Sequence, residues 1–165
     1  MEIVIRKLPG KSRAAMDLLL EADPSEQNIK RYLKKGFIYL AEHEMKTAGV
    51  MVLMQIGDSS MEIMNLAVDN HFRGKGIAKK LIAHAKQICA AQKIGILEIG
   101  TGNSSLDQLA LYQKCGFRME KVIKNYFIDH YEKPIYENGI RCMDMVRLKM
   151  NITNAEGPWS DQTVK

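Results

Sequence analysis

Apolar and polar residues follow two different periods along the chain, and so they predict both strands and helices. Alternation predicts a strand over residues 2–8, and apolar positions at helical spacing predict a short helix after Ser12. A second helix is expected to begin at Asp23, because Asp23 has the side chain of a helix cap, Pro24 suits the first helical position, and Glu26 suits a capping box.

The middle of the chain is predicted to be rich in strands. Strands at residues 37–42, 48–56 and 61–68 are separated by short polar connections, which favour antiparallel neighbours. A long helix over residues 76–92 then leads to a short apolar strand at residues 94–99. Because a helical crossover joins strands that run in the same direction, the strands at 61–68 and 94–99 are expected to be parallel.

A further helix is predicted over residues 105–115. Ser105 and Gln108 have the spacing of a capping box, and Gly116 is placed to end the helix in a left-handed conformation. Phe117 then stands where it can pack back against the helix. Helix entry and exit are therefore both expected to be set by local side chains.

Two last strands, near residues 118–125 and 141–149, are expected to complete one domain over residues 1–150. The polar segment 151–165, which contains Trp159, is expected to be a poorly ordered tail. The sequence thus predicts one domain with a mixed sheet and a short appendix.

The charge of the chain is concentrated in one place. The 165 residues include 24 Lys and Arg and 19 Asp and Glu, a net charge of +5. Residues 69–86 alone contain five basic residues and one acidic residue. A polyanion-binding protein would spread its basic residues over a face or a tail. This concentration favours one small anionic ligand, and no nucleic-acid partner is expected.

Several features argue against other classes of protein. No stretch is apolar over the length that a membrane helix needs, and the first residues lack a signal core. Cys89, Cys115 and Cys142 are an odd number without CxxC spacing, and the four histidines show no paired metal spacing. We expect free thiols in a reducing cytoplasm, no metal and no membrane partner.

A glycine-bearing turn between the strand at 61–68 and the long helix is the most informative motif. Gly74 and Gly76 allow a ligand to approach the backbone, and the helix start favours an anion. Arg73, Lys75 and Lys79 add positive charge around the same point. The turn predicts a phosphate or pyrophosphate site, and the alternative is an ordinary turn with solvated lysines.

Two phosphate-bearing ligands fit a turn of this kind. A dinucleotide-binding turn has the pattern GxGxxG, but Lys79 stands at the third small position. Glu98 does lie near the place of a ribose-binding acid, so a nicotinamide dinucleotide is an alternative. Against it, the preceding strands are predicted to be antiparallel.

Residues around this turn resemble a known family. Arg73-x-x-Gly76-x-Ala78, after Leu66-Ala67-Val68, resembles the acetyl-CoA signature of the GNAT superfamily of N-acetyltransferases. Asn103 and the run Ala110-Leu-Tyr112-Gln-Lys-Cys-Gly116-Phe117 are similar to the family's second cofactor-side helix. The resemblance covers about residues 1–150.

The resemblance implies an α/β (α+β) fold with a mixed, mostly antiparallel central sheet and helices on both faces. Its parallel pair, 61–68 and 94–99, would splay apart at one end and admit the cofactor. The activity it implies is transfer of the acetyl group of acetyl-CoA to an amine in a ternary complex, and a non-catalytic CoA-binding module is an alternative. The implied acetyl-CoA contacts come from both motifs: Leu66, Ala67, Val68, Arg73, Gly74, Lys75, Gly76, Ile77, Ala78, Lys79 and Asn103.

A general base is needed, because an amine is protonated at neutral pH and must lose a proton before it attacks. Glu62 is the first candidate, since strand alternation puts it on one face with Met64, Leu66 and Val68. Glu98 on the next strand is the second candidate. Either carboxylate is alternatively a structural acid that pairs with a basic residue.

Three further roles follow from the resemblance. Tyr112 is the implied general acid, although a packing role is the alternative. The N–H of Val68 is the implied donor to the oxyanion. Asn103 would bond the pantetheine amides, or else serve as a turn residue.

The acceptor is less defined. Residues 126–139 are aromatic and contain three acids, so this segment either binds a cationic amine or is a solvated loop. His130 within it is a weaker candidate for the base. The expected partner is a small-molecule or peptide amine, and strand edges make a homodimer plausible.

Overall fold

The computed structural model describes residues 1–10 and 12–152. The predicted tail therefore lies, from residue 153 and including Trp159, outside the described residues. Within the described part the strands are β1 (Val4–Lys7), β2 (Phe37–His43), β3 (Lys46–Gly57), β4 (Ser60–Val68), β5 (Ile96–Gly102), β6 (Arg118–Ile123), β7 (Ile135–Glu137), β8 (Ile140–Cys142) and β9 (Met145–Asn151). The α-helices there are α1 (Arg13–Ala22), α2 (Glu26–Tyr32), α3 (Ile77–Ala91), α4 (Leu106–Lys114) and α5 (Tyr126–His130).

Seven strands form one central sheet in the order β1-β2-β3-β4-β5-β9-β6. Every neighbouring pair is antiparallel except β4 and β5, which are parallel. The crossover between these two strands is α3. The predicted mixed, mostly antiparallel sheet is confirmed, and β7 and β8 form a separate hairpin.

The parallel pair separates partway along its length. Pairing runs from Ser60–Ile96 to Ile63–Ile99 and then stops, while both strands continue. Beyond Ile63, β4 therefore has strand partners only on its β3 side. The splayed pair that the resemblance implies is confirmed.

Helices cover both faces of the sheet, as expected. On one face, Leu81 of α3 packs in a core with Leu97 and Leu148 from the sheet. On the other face, Leu19 of α1 and Ile29 of α2 pack in a second core against the central strands. The first is called the α3 face below, and the second the α1–α2 face.

A β-bulge in β4 changes the face on which its side chains lie. Val52 pairs with Asn65 and Leu53 pairs with Ile63, so Met64 is an extra residue on β4. Ile63 packs in the core of the α3 face, whereas Met64 packs in the core of the α1–α2 face. Asn65 lies on that second face too, where its Nδ2 donates to the carbonyl oxygen of Leu19 and to the hydroxyl of Tyr32.

The bulge corrects one expectation about the candidate base. Glu62 alternates with Ile63 and so lies on the α1–α2 face together with Met64. Leu66 and Val68 pack on the α3 face. The prediction that Glu62 shares a face with Leu66 and Val68 was wrong, because simple alternation does not hold across a bulge.

Two predicted caps differ in the structure. The cap of α2 is Ser25, whose hydroxyl accepts the N–H of Asn28, and Asp23 instead accepts the N–H of Ser25. The cap position of α4 is Ser105, as predicted, but no side-chain cap bond forms there. Its hydroxyl donates to Glu137 at 2.9 Å, because the β7–β8 hairpin lies against this helix entry.

The segments after β6 are also more structured than predicted. Residues 126–139 were expected to be a loop or a binding segment and contain α5 and β7. The single strand predicted at 141–149 is divided between β8 and β9. The bend at Met143–Asp144 turns the chain from the hairpin into the central sheet.

Candidate active site

Two carboxylates and one guanidinium meet where β4 and β5 are still paired. Glu62 and Glu98 stand opposite each other in the parallel register. Arg147 of β9 reaches both: its Nη1 lies 2.5 Å from Glu62 Oε1, and its Nη2 lies 2.8 Å from Glu98 Oε2. We call these three residues the carboxylate cluster.

A glycine allows this contact across the sheet. Arg147 stands opposite Gly100 in the register of β5 and β9. A Cβ on Gly100 would lie 2.9 Å from Arg147 Nη1, closer than real Cβ contacts allow. The missing side chain therefore lets the guanidinium lie flat over β5 and reach Glu62 on the strand beyond.

The carboxylate cluster is partly buried, and it is not electrically neutral. Burial would lower the pKa of Arg147, but hydrogen bonds and charge from Glu62 and Glu98 outweigh burial and raise it. With all three groups ionised, two negative charges face one positive charge. The cluster therefore has one net negative charge, which attracts a cation.

The other end of β4 leads into the glycine-bearing turn. Gly74 and Gly76 have φ values of +73° and +76°, and a Cβ on either would meet nothing within 4 Å. Gly76 caps α3, so the N–H groups of the first turn are not used by the helix itself. An open concave backbone with free N–H groups at a helix start fits a pyrophosphate.

The basic residues of this turn are not all free. Arg73 donates from Nε to the carbonyl oxygen of Val68 at 3.2 Å, and its Nη2 lies 3.4 Å from Glu21 Oε2. Lys75 donates to the carbonyl oxygen of His71. Lys79 extends from the exposed side of the first turn of α3 and has no ion pair among the described residues.

The open edge of β4 presents unused backbone groups. Asp69 donates its N–H to Ala48 of β3, so the residues two apart from Asp69 also face β3. The N–H groups of Leu66 and Val68 alternate with these and point toward the gap left by β5. They are therefore free for an extended ligand that runs along β4.

Tyr112 lies on the α3 face of the sheet. It is buried in the core, and its ring meets Phe117 edge-on, with centroids 6.0 Å apart. Gly116 has a φ of +103°, which ends α4 and lets Phe117 fold back as predicted. Burial raises the pKa of Tyr112 well above its usual value, so its hydroxyl keeps its proton at neutral pH.

Asn103 is used by the protein itself. Its Oδ1 accepts the N–H groups of Met143 and Asp144, and its Nδ2 donates to the carbonyl oxygen of Arg141. These bonds hold the bend before β9. Asn103 therefore serves as a turn residue, and its bond to the pantetheine amides stays a prediction.

A pocket of about 490 Å³ lies between α2 and α5. Its walls are polar, basic and aromatic, and they consist of Ser25, Gln27, Asn28, Lys30, Arg31, Lys34, Tyr126, His130 and Tyr131. His130 stacks on Tyr126, with centroids 4.3 Å apart, and its Nδ1 lies 2.7 Å from the carbonyl oxygen of Tyr126. His130 therefore lies in this pocket and not in the carboxylate cluster.

Sequence reasoning missed Arg147 and the basic wall of the pocket. Arg147 stands between Val146 and Leu148 in an otherwise apolar strand, which is a signal that it has a partner. The partner itself depends on β9 lying beside β5, a pairing that spacing along the chain does not reveal. The sequence predicted a helix after Asp23, but it did not predict that Lys30, Arg31 and Lys34 line a pocket.

Neither a metal site nor a membrane-spanning helix is found in the part of the chain that the structure describes. No group of three or more His, Cys, Asp or Glu residues is arranged to hold a metal ion among residues 1–10 and 12–152. In the same residues, no helix has the length and apolarity required to cross a bilayer. Cys89, Cys115 and Cys142 are free thiols.

Comparisons with known proteins agree on the family. Residues 18–119 match the family model of the Acetyltransferase (GNAT) domain. The chain is 46% identical over 138 residues to the uncharacterized N-acetyltransferase YvbK of Bacillus subtilis (strain 168), which covers 82% of this chain and 88% of the relative.

Two solved structures are similar over nearly the whole chain. The IAA acetyltransferase from Bacillus cereus ATCC 14579 has 49% sequence identity and a TM-score of 0.86, covering 91% of this chain and 99% of that one. A GNAT family acetyltransferase from Elizabethkingia anophelis with acetyl-CoA bound has 42% identity and a TM-score of 0.87, covering 90% and 97%. These matches favour acetyl-CoA over a nicotinamide dinucleotide as the ligand of the turn.

Proposed function

This chain belongs to the GNAT superfamily and is an acetyl-CoA-dependent N-acetyltransferase, and from that premise we propose that the carboxylate cluster removes the proton of the acceptor amine. The observation that carries the proposal is the net negative charge of Glu62, Glu98 and Arg147 at the end of the splayed pair. The cluster attracts an ammonium group and then takes up one proton from it.

We assign the base to Glu62. The edge of β4 beyond Ile63 leads into the glycine-bearing turn, so Glu62 lies on the strand proposed to bind the cofactor. Glu98 holds the other arm of Arg147 and keeps the guanidinium in place. In this assignment Glu98 and Arg147 are positioning residues, and Glu62 is the group that accepts the proton.

The residues of the turn fit acetyl-CoA, which supplies a reactive acetyl thioester. The N–H groups of Gly74, Gly76 and Ala78 would hold the pyrophosphate, with charge from Lys75 and Lys79. The open, left-handed backbone at both glycines is the feature that supports this assignment.

The remaining motif residues act along the strand and at the helix start. Leu66 and Val68 would bind the pantetheine arm through the strand edge, and the N–H of Val68 would donate to the acetyl oxygen. Ala67 and Ile77 hold this backbone in place from the two cores, since both are buried. Arg73 fixes the turn through Val68.

Tyr112 is the proposed general acid. Because burial keeps its hydroxyl protonated, Tyr112 has a proton to donate to the sulfur of CoA at neutral pH. Its place on the α3 face, in the same core as Leu66 and Val68, supports this role. The acid and the base then act from opposite faces of the sheet.

The proposal is tested by comparing Glu62→Gln with Glu98→Gln in the otherwise intact enzyme. Removing a general base lowers kcat by about 10²-fold. We expect that loss for Glu62→Gln, together with loss of the acidic limb of the pH–rate profile. We expect a smaller loss for Glu98→Gln, with the acidic limb kept.

The matched pair separates a catalytic role from a structural one. Each substitution leaves Arg147 with one of its two carboxylate partners, so the effects on unfolding by urea are expected to be similar. Equal kinetic effects of the two variants would contradict the assignment to Glu62. An unchanged pH profile in both would place the base outside the cluster.

We further propose that residues 1–150 act as one catalytic domain in the cytoplasm. One sheet that begins with β1 and ends with β9 supports the single domain. Three free thiols, of which Cys89 and Cys142 are buried, are consistent with a reducing compartment.

A homodimer remains a proposal as well. Strand β6 is at the edge of the sheet and exposes Met119 and Val122. Apolar side chains on an unpaired edge favour pairing with another strand. Size-exclusion chromatography with light scattering, on the full chain and on a Val122→Lys variant, tests this.

A further inference from the structure

We propose that the acceptor of this enzyme is an amine that also carries an anionic group, a carboxylate or a phosphate, bound in the pocket between α2 and α5. The inference deepens the proposed function, because it names the substrate class of the same site. It rests on the charges of the pocket wall and on the position of the pocket relative to the carboxylate cluster.

One wall of the pocket is strongly basic. Lys30, Arg31 and Lys34 line it, and no carboxylate is among its lining residues. Lys30 is already paired with Glu26, and Arg31 donates to Asn28 Oδ1. Lys34 has no ion pair among the residues that the structure describes. Basic residues at the end of α2 also suit its helix dipole, but here α5 closes over them and makes the site concave.

Besides Glu26, which pairs with Lys30, one more carboxylate lies beside the pocket. Asp23 accepts the N–H of Ser25, the side-chain amide of Asn28 and the hydroxyl of Tyr131. Burial and the charge of Asp23 raise the pKa of Tyr131, so that hydroxyl stays neutral. Asp23 is therefore held by the protein and is not available to a ligand. Counting Asp23 and Glu26 against Lys30, Arg31 and Lys34 leaves the wall with one net positive charge.

The pocket lies on the same face of the sheet as the carboxylate cluster. A Cβ on Gly102 would lie 3.6 Å from the ring of Phe127, so α5 sits over the end of β5. Gly102 and Gly100 are on one face of β5, and Arg147 covers Gly100. Glu98 is four residues before Gly102 on the same strand, so the two residues are about 13 Å apart.

The two sites have opposite charge, and together they define the acceptor. The carboxylate cluster attracts an ammonium group, and the basic wall attracts an anion. The aromatic segment at 126–139 was expected to bind a cationic amine or to be a solvated loop. Its rings do line a pocket, but α2 supplies that pocket with positive charge, which disfavours a purely cationic acceptor.

The test compares acceptors that differ only in the anion. With acetyl-CoA and the intact enzyme, kcat/KM is measured for three pairs whose amine and anion are far enough apart to reach both sites: 8-aminooctanoate and 8-aminooctanamide, triglycine and triglycinamide, and 6-aminohexyl phosphate and 6-aminohexanol. We expect the anionic member of at least one pair to be preferred about tenfold or more, as for a hydrogen bond to a charged group. The pairs also separate carboxylate from phosphate.

Variants of the basic wall test whether the preference for an anionic acceptor arises in this pocket. Arg31→Ala and Lys34→Ala are expected to lower kcat/KM for the preferred anionic amine about tenfold and to leave its neutral partner and the KM for acetyl-CoA unchanged. Lys35→Ala is the control, because Lys35 is exposed next to the pocket but does not line it.

Binding is measured independently of turnover, by calorimetric titration of each pair into the CoA-bound protein. Equal or better binding and turnover of the neutral members would overturn the inference, as would variants that lose both members equally. An intact preference for anions in Glu62→Gln, with turnover lost, supports the pocket even where the base is reassigned. If Glu62→Gln lowers turnover as proposed but no acceptor pair shows a preference for the anion, the acceptor inference is wrong and the assignment of the base stands.

Discussion

The two halves of β4 differ in whether their polar groups already have partners within the protein. Around Glu62 the strand is paired on both sides, and its polar side chain is held by Arg147 before any substrate arrives. Beyond Ile63 the strand keeps one neighbour, and its backbone groups face a gap. The first half is complete without a ligand, whereas the second half is left unsatisfied for one.

The bulge at Met64 separates these halves and directs them to different faces. Glu62 lies on the α1–α2 face, where the basic pocket is found, and Leu66 lies on the α3 face. One strand thereby serves an acceptor from one side and a cofactor from the other. Proton removal and cofactor binding should consequently respond to different substitutions.

The largest effect is expected from Tyr112→Phe. Loss of a general acid should lower kcat about 10²-fold or more, with the KM for acetyl-CoA changed less than about twofold. Because burial raises the pKa of Tyr112, its hydroxyl should stay protonated up to about pH 10, and wild-type kcat should show no loss from this group below that pH. Steady-state kinetics across pH measures both.

Tyr39→Phe is the control for this variant. Tyr39 is a buried tyrosine of the same core, which meets His84 edge-on away from the gap. Its kcat should be close to wild type. Equal losses in both variants would mean that Tyr112 contributes packing and not a proton.

The next effect is on stability and concerns Arg147→Met. Removing the guanidinium leaves two partly buried carboxylates facing each other, which costs up to about 3 kcal/mol of unfolding free energy. Urea unfolding measures it, and the double variant Glu98→Gln/Arg147→Met should recover part of the loss.

Lys149→Met is the matched control on the same strand. Lys149 lies two residues further on and pairs with Glu120 at 2.7 Å, but both side chains are over 40% exposed. An exposed pair contributes at most about 1 kcal/mol. Similar losses for Lys149→Met and Arg147→Met would show that the carboxylate cluster is no more than a surface ion pair.

The second half of β4 was the more predictable from sequence, for a physical reason. Its function depends on local features: two glycines, a strand before them and a helix after them. Such features are contiguous, so spacing and residue type were enough to predict the turn and the helix that follows. The start of α2 was harder to predict, because Asp23 and Ser25 are both good caps.

The first half depends on contacts between distant segments. Glu62 and Arg147 are 85 residues apart, and the approach of Arg147 requires Gly100 on a third strand. This contact depends on the order of the strands across the sheet, and no local sequence pattern predicts that order. The bulge at Met64 was missed for a related reason. Ile63 and Met64 are adjacent apolar residues, and apolar side chains are buried on both faces of this strand, so residue type alone does not mark the extra residue.

A smaller effect is expected from Gly76→Ala at the open end. With φ at +76°, an alanine strains the backbone by about 1 kcal/mol. Nothing lies within 4 Å of the new Cβ, so the free protein should fold normally. The Cβ stands where the pyrophosphate would lie, and the KM for acetyl-CoA should rise about tenfold while kcat is kept.

Gly10→Ala is the matched control, because Gly10 has equally open space but no left-handed backbone. It should leave the KM for acetyl-CoA unchanged. A Gly76→Ala enzyme with normal KM would contradict the assignment of this turn to the cofactor phosphates.

The smallest effect is expected from Lys79→Ala, which removes one exposed charge at the start of α3. Its attraction to phosphate acts through solvent, so the dissociation constant for CoA should rise about threefold in 50 mM salt. Most of this difference should vanish in 500 mM salt, where a Debye length of about 4 Å screens the charge. Lys121→Ala on β6, also exposed, should show no change at either salt concentration. A threefold change that persists in high salt would mean that Lys79 contacts CoA directly, and no change at all would place the phosphates away from this turn of α3.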